Sequence, residues 1–267
     1  MELVVLGCGG SAGVPMIGGP DGRGDWGLCD PAEPRNVRSR ASVLLRGDDG
    51  RAVLIDTGPD LRAQLLAQGI DRFDAILYTH AHSDHIAGLD EVRAINWAIG
   101  RPLPVMATPS VLAELETRFA YAFRPWVPPG FYRPVVVSRE VHAGQTYDVA
   151  GLSLTLFEQI HGRTLSLGVR CGTIAYSTDV ADLSEEAFAV LEGVETWLVD
   201  CYQRTGPHNA HAWLDQVLAW RERVAPRRMI LTHMGTDMDW AWLRDNLPEG
   251  VEAAFDGLRV PFSQSRA

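Results

Sequence analysis

The sequence lacks a hydrophobic run long enough to cross a membrane, and its 4 cysteines are scattered without the spacing of a disulfide framework. The opening residues, MELVVLG, lead straight into an apolar strand and lack the basic start and long apolar core of a signal peptide. These absences predict a cytoplasmic protein that does not bind membranes. They also predict that the cysteines are small buried thiols.

Basic residues are scarce, since 24 basic side chains face 34 acidic ones, for a net charge of -10. A duplex or a long RNA needs a broad basic surface, so no nucleic-acid polymer is expected as a partner. A small phosphorylated substrate stays compatible with this charge, because bound metal ions dominate their local field.

What is present is the composition of an ordinary folded protein, with 46% hydrophobic and 22% charged residues and no linker or repeat. We predict one domain over residues 1–267. Strands followed by helices in each half favour sheets packed between helical layers. The sequence predicts strands at 75–78 and 228–232 and a hairpin over 41–56. It also predicts helices at 60–68, 85–98 and 211–223, and a proline-rich lid or rim over 123–133.

The most informative stretch is residues 79–85, which place three histidines and an aspartate at the spacing H-x-H-x-D-H. The single intervening residue lets His80 and His82 point into one pocket, while Asp84 and His85 face a second point nearby. The loop therefore predicts a site for two metal ions and metal-assisted hydrolysis. Chance clustering is a poor alternative, because the chain has only 8 histidines.

Three further ligand-type residues follow apolar strands, as His80 does. His161 precedes Gly162, Asp179 ends the run IAYSTD, and His233 ends MILTH. Taken singly, each is better explained as a hydrogen-bonded polar residue leaving a strand. Together with the histidine loop they predict one site built at strand ends.

These motifs, together with Asp56 in IDTGPD, resemble the five ordered motifs of the metallo-β-lactamase superfamily over most of the chain. The resemblance implies an α/β fold, the four-layer αββα sandwich, with two divalent ions (zinc, manganese or iron) at one edge of the sheets. Asp56 would support the histidine loop without being a ligand. The ligands implied are His80, His82 and His161 for the first ion, Asp84, His85 and His233 for the second, and Asp179 bridging both.

Within the superfamily, the opening VVLGCGGSAGVP and the run Asp200-Cys201 followed by His211 resemble the phosphodiesterase of the carbon–phosphorus lyase pathway. That branch is dimeric, so a homodimer is implied. Its additional structural zinc is not expected here, because the early loop keeps only Cys29 and Thr236 stands three residues after His233.

The expected reaction is hydrolysis of a small cyclic phosphate or nucleotide by a metal-bridging hydroxide. We expect His211 to be the general acid, positioned by Asp84. Arg35, Arg38 and His208 are candidate substrate contacts, although a solvated loop explains the arginines equally well. The alternatives are a thioester or lactone hydrolase on the same scaffold, or a ligand-binding protein without catalysis.

Overall fold

A computed structural model describes residues 1–264, which form two seven-stranded sheets flanked by helices. The strands are β1 (Glu2–Gly7), β2 (Ser42–Arg46), β3 (Ala52–Ile55), β4 (Ala75–Leu77), β5 (Leu103–Ala107), β6 (Val136–Glu140), β7 (Thr146–Val149), β8 (Leu152–His161), β9 (Thr164–Cys171), β10 (Ile174–Ser177), β11 (Thr196–Asp200), β12 (Arg228–Thr232), β13 (Val251–Ala253) and β14 (Arg259–Pro261). The α-helices are α1 (Leu61–Gln68), α2 (Ser83–Ile86), α3 (Val92–Ile99), α4 (Pro109–Arg118), α5 (Glu185–Leu191), α6 (Leu214–Val224) and α7 (Trp240–Asn246).

The two sheets have matching topologies, each antiparallel on one side and parallel on the other. The first has the order β14-β1-β2-β3-β4-β5-β6, and its pairs from β3 to β6 are parallel. The second has the order β13-β12-β11-β10-β9-β8-β7, and its pairs from β10 to β13 are parallel. Parallel strands end at the same edge, so side chains that follow them collect there.

Both faces of the sheets are covered, which accounts for four layers. In β1, Val5 faces the core between the sheets, whereas its neighbour Val4 belongs to the core beneath α1, α3 and α4. On the second sheet, Trp197 of β11 stacks on Trp220 of α6, with ring centroids 6.3 Å apart. Strands buried on both faces read as continuous apolar runs, as these do. The predicted αββα sandwich of the α/β class is confirmed.

Most of the predicted elements are present. The hairpin forms from β2 and β3, and α1 ends at Gly69, which takes the left-handed conformation of a C-cap with φ of 63°. The 4 cysteines are free and buried, as predicted. No helix within residues 1–264 has the length and apolarity needed to cross a bilayer.

The helical stretch predicted over 85–98 is present but interrupted, because α2 ends before Gly88 and α3 begins after it. The Gly88 backbone packs so closely on Gly58 that a Cβ there would lie 2.1 Å from the Gly58 carbonyl oxygen. The Gly88 N–H bonds the Thr57 carbonyl instead of a helical partner. This close contact holds the histidine loop against the turn that follows β3.

The segment 123–133 packs largely on itself. Trp126 and Phe131 stack with ring centroids 4.5 Å apart and planes 7° apart, and Trp126 Nε1 donates to the Gly130 carbonyl. The cavity beside Trp126 contains none of the predicted ligands. These contacts give the segment a packing role and provide no support for the predicted lid.

Candidate metal centre

The edge where the parallel strands end gathers all seven predicted ligands into two groups. Donor atoms within each group lie within 4.8 Å of one another. The groups, called here the first and second donor groups, are His80, His82, His161 and Asp179, and Asp84, His85, Asp179 and His233.

In the first donor group, three imidazole nitrogens converge. His82 Nδ1 lies 2.9 Å from His80 Nε2 and 3.2 Å from His161 Nε2. Asp179 Oδ1 lies 3.8 Å from His80 Nε2 and 3.5 Å from His161 Nε2. One carboxylate oxygen thus faces two of the histidines of this group.

The second donor group forms around the other oxygen of the same carboxylate. Asp179 Oδ2 lies 3.0 Å from His85 Nε2 and 3.3 Å from His233 Nε2. Asp84 Oδ2 lies 3.2 Å from His85 Nε2 and 3.9 Å from His233 Nε2. Because its two oxygens face different groups, Asp179 occupies the position of a bridging ligand.

The donor set fits divalent metal ions. The Nε2 atoms of His85 and His233 are buried and have no hydrogen-bond partner of acceptable geometry among the described residues. The outer nitrogens are held: His85 Nδ1 pairs with Asp56 at 2.7 Å, and His161 Nδ1 with the Ala210 carbonyl at 2.7 Å. Outer N–H donation of this kind turns the lone pair of the inner nitrogen toward a metal. Imidazole and carboxylate donors suit zinc, manganese and iron.

Asp56 supports the histidine loop from behind. Its carboxylate accepts the Thr79 N–H at 2.8 Å and the Thr79 hydroxyl at 2.7 Å, besides pairing with His85. Burial raises the pKa of Asp56, although His85 and Thr79 act against that rise. Asp56 belongs to neither donor group, which is the supporting position predicted for it.

The charges within the site are mutually dependent. Burial lowers the pKa of His233, but the charge of Asp179 and the nearby carboxylate of Asp84 outweigh burial and raise the pKa to about 9. His85 also has a raised pKa, because Asp179 and Asp56 outweigh its burial. Burial opposes ionisation of Asp84, yet its contacts with His233 and His85 hold its pKa well below the usual range. Without metal ions, these histidines hold protons. A metal ion must displace these protons to bind the same ring nitrogens.

Three of the site residues adopt backbone conformations that side chains rarely take. Asp56, Asp179 and His233 follow β3, β10 and β12, with φ of 65°, 52° and 53°. Left-handed backbone is uncommon outside glycine and costs of order 1–3 kcal/mol where it is strained. The chain turns sharply at each strand end, and that turn aims the side chain across the sheet edge.

His211 lies between the two donor groups. Its ring centroid is 4.8 Å from that of His161 and 4.7 Å from that of His233. The prediction that Asp84 positions it is wrong, because His211 Nδ1 pairs with Asp200 Oδ2 at 2.8 Å. Asp200 ends β11 and is fully buried, so the rule that found Asp179 and His233 at strand ends also identifies it.

The two arginines predicted to contact substrate are occupied elsewhere. Arg38 is 2% exposed and its Nη2 donates to the Met238 carbonyl at 2.6 Å, so its predicted substrate contact is wrong. The guanidinium of Arg35 lies over Trp240, 4.1 Å from the ring centroid. By contrast, His208 lies beside His211, with ring centroids 5.2 Å apart.

A cavity of about 660 Å³ opens beside His80 and His82. Its lining includes Arg118, Arg163 and Glu158, which the sequence did not single out, together with five hydroxyl side chains. His142 is exposed and lines the same cavity. Its lining combines these charged and hydroxyl groups with apolar side chains such as Val111, Leu165 and Leu167. Of these lining residues, only Arg163 could have been associated with the site from the sequence, because it lies two residues after His161.

Comparison with known proteins identifies the family. Residues 51–234 match the model of the β-lactamase superfamily domain. The crystal structure of a new diphosphatase from the PhnP family is 33% identical, with a TM-score of 0.88 and 98% of both chains covered. Zinc-bound PqqB from Methylobacterium extorquens has a TM-score of 0.74 at 22% identity, covering 98% of this chain and 100% of that one, and shares the fold.

A curated relative is the octanoyltransferase of Porphyromonas gingivalis (strain ATCC BAA-308 / W83), which is 32% identical over 262 residues. The match covers 97% of this chain but only 51% of the relative. The chain therefore spans about half the length of that protein.

Proposed function

The chain belongs to the β-lactamase superfamily, and on that premise we propose that it is a metal-dependent phosphodiesterase acting on a small cyclic phosphate or nucleotide. The observation that carries the proposal is the placement of Asp179, with Oδ1 facing one donor group and Oδ2 the other. This arrangement suits two metal ions held side by side. Sites of that kind stabilise both the attacking and the leaving oxygen of a phosphate diester.

The first donor group and the second donor group would each hold one divalent ion. Bound ions in such sites neutralise charge on the phosphoryl group and lower the pKa of water. His211 Nδ1 is held by Asp200, which leaves Nε2 as the atom able to donate a proton to the leaving oxygen. The buried Asp200 carboxylate stabilises the protonated imidazole during that transfer.

The charged and hydroxyl groups in the cavity wall support a phosphorylated substrate over an acyl one. Arg118 and Arg163 lie in its walls with several hydroxyl groups, whereas a long acyl chain needs an apolar channel. The name of the octanoyltransferase relative belongs to a protein about twice as long. The name of that relative therefore gives little support to acyl chemistry in this chain.

A second candidate is hydrolysis of an organic diphosphate. It is favoured by the PhnP-family diphosphatase, which is similar along nearly the whole chain. The same donor groups suit both reactions, because both reactions break a bond between phosphorus and oxygen. The two candidates differ in the leaving group, which is an alkoxide from a diester and a phosphate from a diphosphate.

The test is a substrate panel with zinc and manganese supplied separately. It contains bis-p-nitrophenyl phosphate, a nucleoside cyclic phosphate, ADP-ribose as an organic diphosphate, a thioester and a lactone. We expect diester turnover that disappears on chelation and returns with metal. The Asp179→Ala variant should lose metal and turnover together, whereas Asp215→Asn, at an exposed position of α6, should keep both.

The panel separates the alternatives. Absence of diester turnover with either metal would contradict the leading proposal. Faster hydrolysis of ADP-ribose than of both diesters would favour the diphosphate reaction. Preferential cleavage of the thioester or the lactone would indicate the acyl alternative.

A further inference from the structure

His208 closes the turn that presents His211. The chain leaves β11 at Asp200 and passes through a loop before α6 begins at Leu214. Within that loop, His208 Nδ1 accepts the backbone N–H of Ala210 at 3.2 Å and that of His211 at 3.1 Å. The His208 side chain therefore fixes the backbone from which the His211 imidazole projects.

Both contacts require a lone pair on Nδ1 of His208. A proton at that atom would face two N–H donors, so the ring carries its proton on Nε2. Burial, followed by the nearby His211, lowers the pKa of His208 and favours the same neutral form. The ring thus serves as an acceptor toward the backbone.

Aromatic packing completes the arrangement. The Tyr202 ring centroid lies 5.2 Å from that of His208 and 5.0 Å from that of His211, and its plane is inclined by 28° to the His211 ring. Gly10 approaches so closely that a Cβ there would lie 2.9 Å from Tyr202 Cε2. The Tyr202 ring is therefore held between the glycine loop and the two histidines.

We propose that His208 is a positioning residue for His211: its Nδ1 closes the 208–211 turn and keeps His211 Nδ1 on Asp200. The His211 ring is then held at three points, by Asp200, by the Tyr202 face and by its own anchored backbone. This role rests on the proposed function, because it concerns proton donation to a leaving group. Loss of this positioning should therefore slow turnover most for substrates whose leaving group needs a proton.

The kinetic test uses three variants. Asparagine places an acceptor near the position of Nδ1, whereas the amide of glutamine reaches the position of Nε2 and alanine has neither. On diphenyl phosphate, whose leaving group is poor, we expect His208→Ala and His208→Gln to lower kcat by about 10- to 100-fold. On bis-p-nitrophenyl phosphate the loss should be about 3-fold or less, because that leaving group departs without a proton. KM and metal content should stay unchanged, and His208→Asn should restore most of kcat.

An equal loss on both substrates would overturn the proposal, and so would His208→Asn behaving like His208→Ala. The latter result would assign the role to Nε2–H and thus to a direct substrate contact. Loss of metal in the alanine variant would also overturn it.

A second readout is independent of turnover. In ¹H–¹⁵N spectra of the histidine side chains, wild type should show His208 protonated at Nε2 and His211 with a strongly hydrogen-bonded Nδ1 proton. The latter signal should be lost in His208→Ala and kept in His208→Asn. An unchanged His211 signal in His208→Ala would refute positioning even if the chain hydrolysed no diester, so this failure is distinct from failure of the proposed function.

Discussion

Asp200, like Asp56, holds a histidine of the site and belongs to neither donor group. Its Oδ2 accepts from His211 Nδ1 at 2.8 Å and from the Val180 N–H at 3.0 Å. Its Oδ1 lies 3.8 Å from His233 Nδ1, beyond hydrogen-bond range. A buried carboxylate in this position fixes the tautomer and the orientation of its histidine partner.

Asp200→Asn should therefore lower kcat by about 100-fold or more while leaving metal content unchanged. His211→Ala should have at least as large an effect. If Asp200 acts through His211, the double variant should be no slower than His211→Ala, because the two losses then share one origin. Additive losses in kcat would show that Asp200 has a separate role, with Asp215→Asn as the control for removing one carboxylate.

At the scale of elements, local sequence patterns predicted the strands that carry the site. The apolar runs of β4, β10 and β12 end at polar residues, so both the strands and their functional ends could be recognised. The break between α2 and α3 could not, because it depends on the contact of Gly88 with Gly58, 30 residues earlier. The partner of His211 also depends on which strands are neighbours in the sheet, which spacing alone does not report.

The long excursion between β1 and β2 is fixed by buried polar contacts. Arg38 reaches the Met238 carbonyl, and Asn36 Nδ2 donates to Asp239 Oδ2 at 2.8 Å. Asn36 Oδ1 accepts the Trp240 N–H at 2.8 Å. These contacts join the early loop to the segment that follows His233, so an arginine that looked suited to phosphate serves as an internal clamp.

Arg38→Met should lower the free energy of unfolding by about 1–3 kcal/mol, because it leaves a buried carbonyl without its donor. KM should not change, since Arg38 is 2% exposed. Arg35→Ala is the matched control and should cost about 1 kcal/mol or less, the range of an exposed cation–π contact. Denaturant unfolding and steady-state kinetics would measure both effects. A raised KM in Arg38→Met with unchanged stability would restore Arg38 as a substrate contact.

At the scale of the whole molecule, each donor group draws equally on the two halves of the fold. His80 and His82 follow β4 of the first sheet, whereas His161 and Asp179 follow β8 and β10 of the second. Asp84 and His85 come from the first sheet, and Asp179 and His233 from the second. The docking of the sheets and the binding of metal ions are therefore linked equilibria.

Metal removal should lower the thermal stability of the whole chain. A ligand at about 100 times its Kd stabilises the folded state by about 2.7 kcal/mol, and chelation removes that contribution. We expect Tm to fall on chelation and to recover when zinc or manganese is restored. The Asp179→Ala variant should show almost no response, since it lacks the residue shared by both donor groups. A Tm that does not depend on metal would argue against binding across the sheets.

The stability of the metal-free protein should fall as the pH rises. The pKa of His233 in the folded protein is about 9, above its ordinary value of 6.5, and His85 is raised as well. A histidine with a raised pKa contributes stability that is complete below pH 6.5 and is lost as the pH passes through about 9. Tm after chelation should therefore be lower at pH 10 than at pH 7, and His233→Gln should show a smaller difference. With metal bound the fall should be smaller, because ligation requires neutral imidazole.

The division of each donor group between the two sheets also bears on biosynthesis. His80 and Asp84 leave the ribosome long before His233, so a partly made or truncated chain carries only fragments of the two donor groups. Tight metal retention becomes available only after β12 has been made and the second sheet has docked on the first. Metal content thus distinguishes finished molecules from incomplete ones, and a chain ending before residue 233 should leave a desalting column without the second ion.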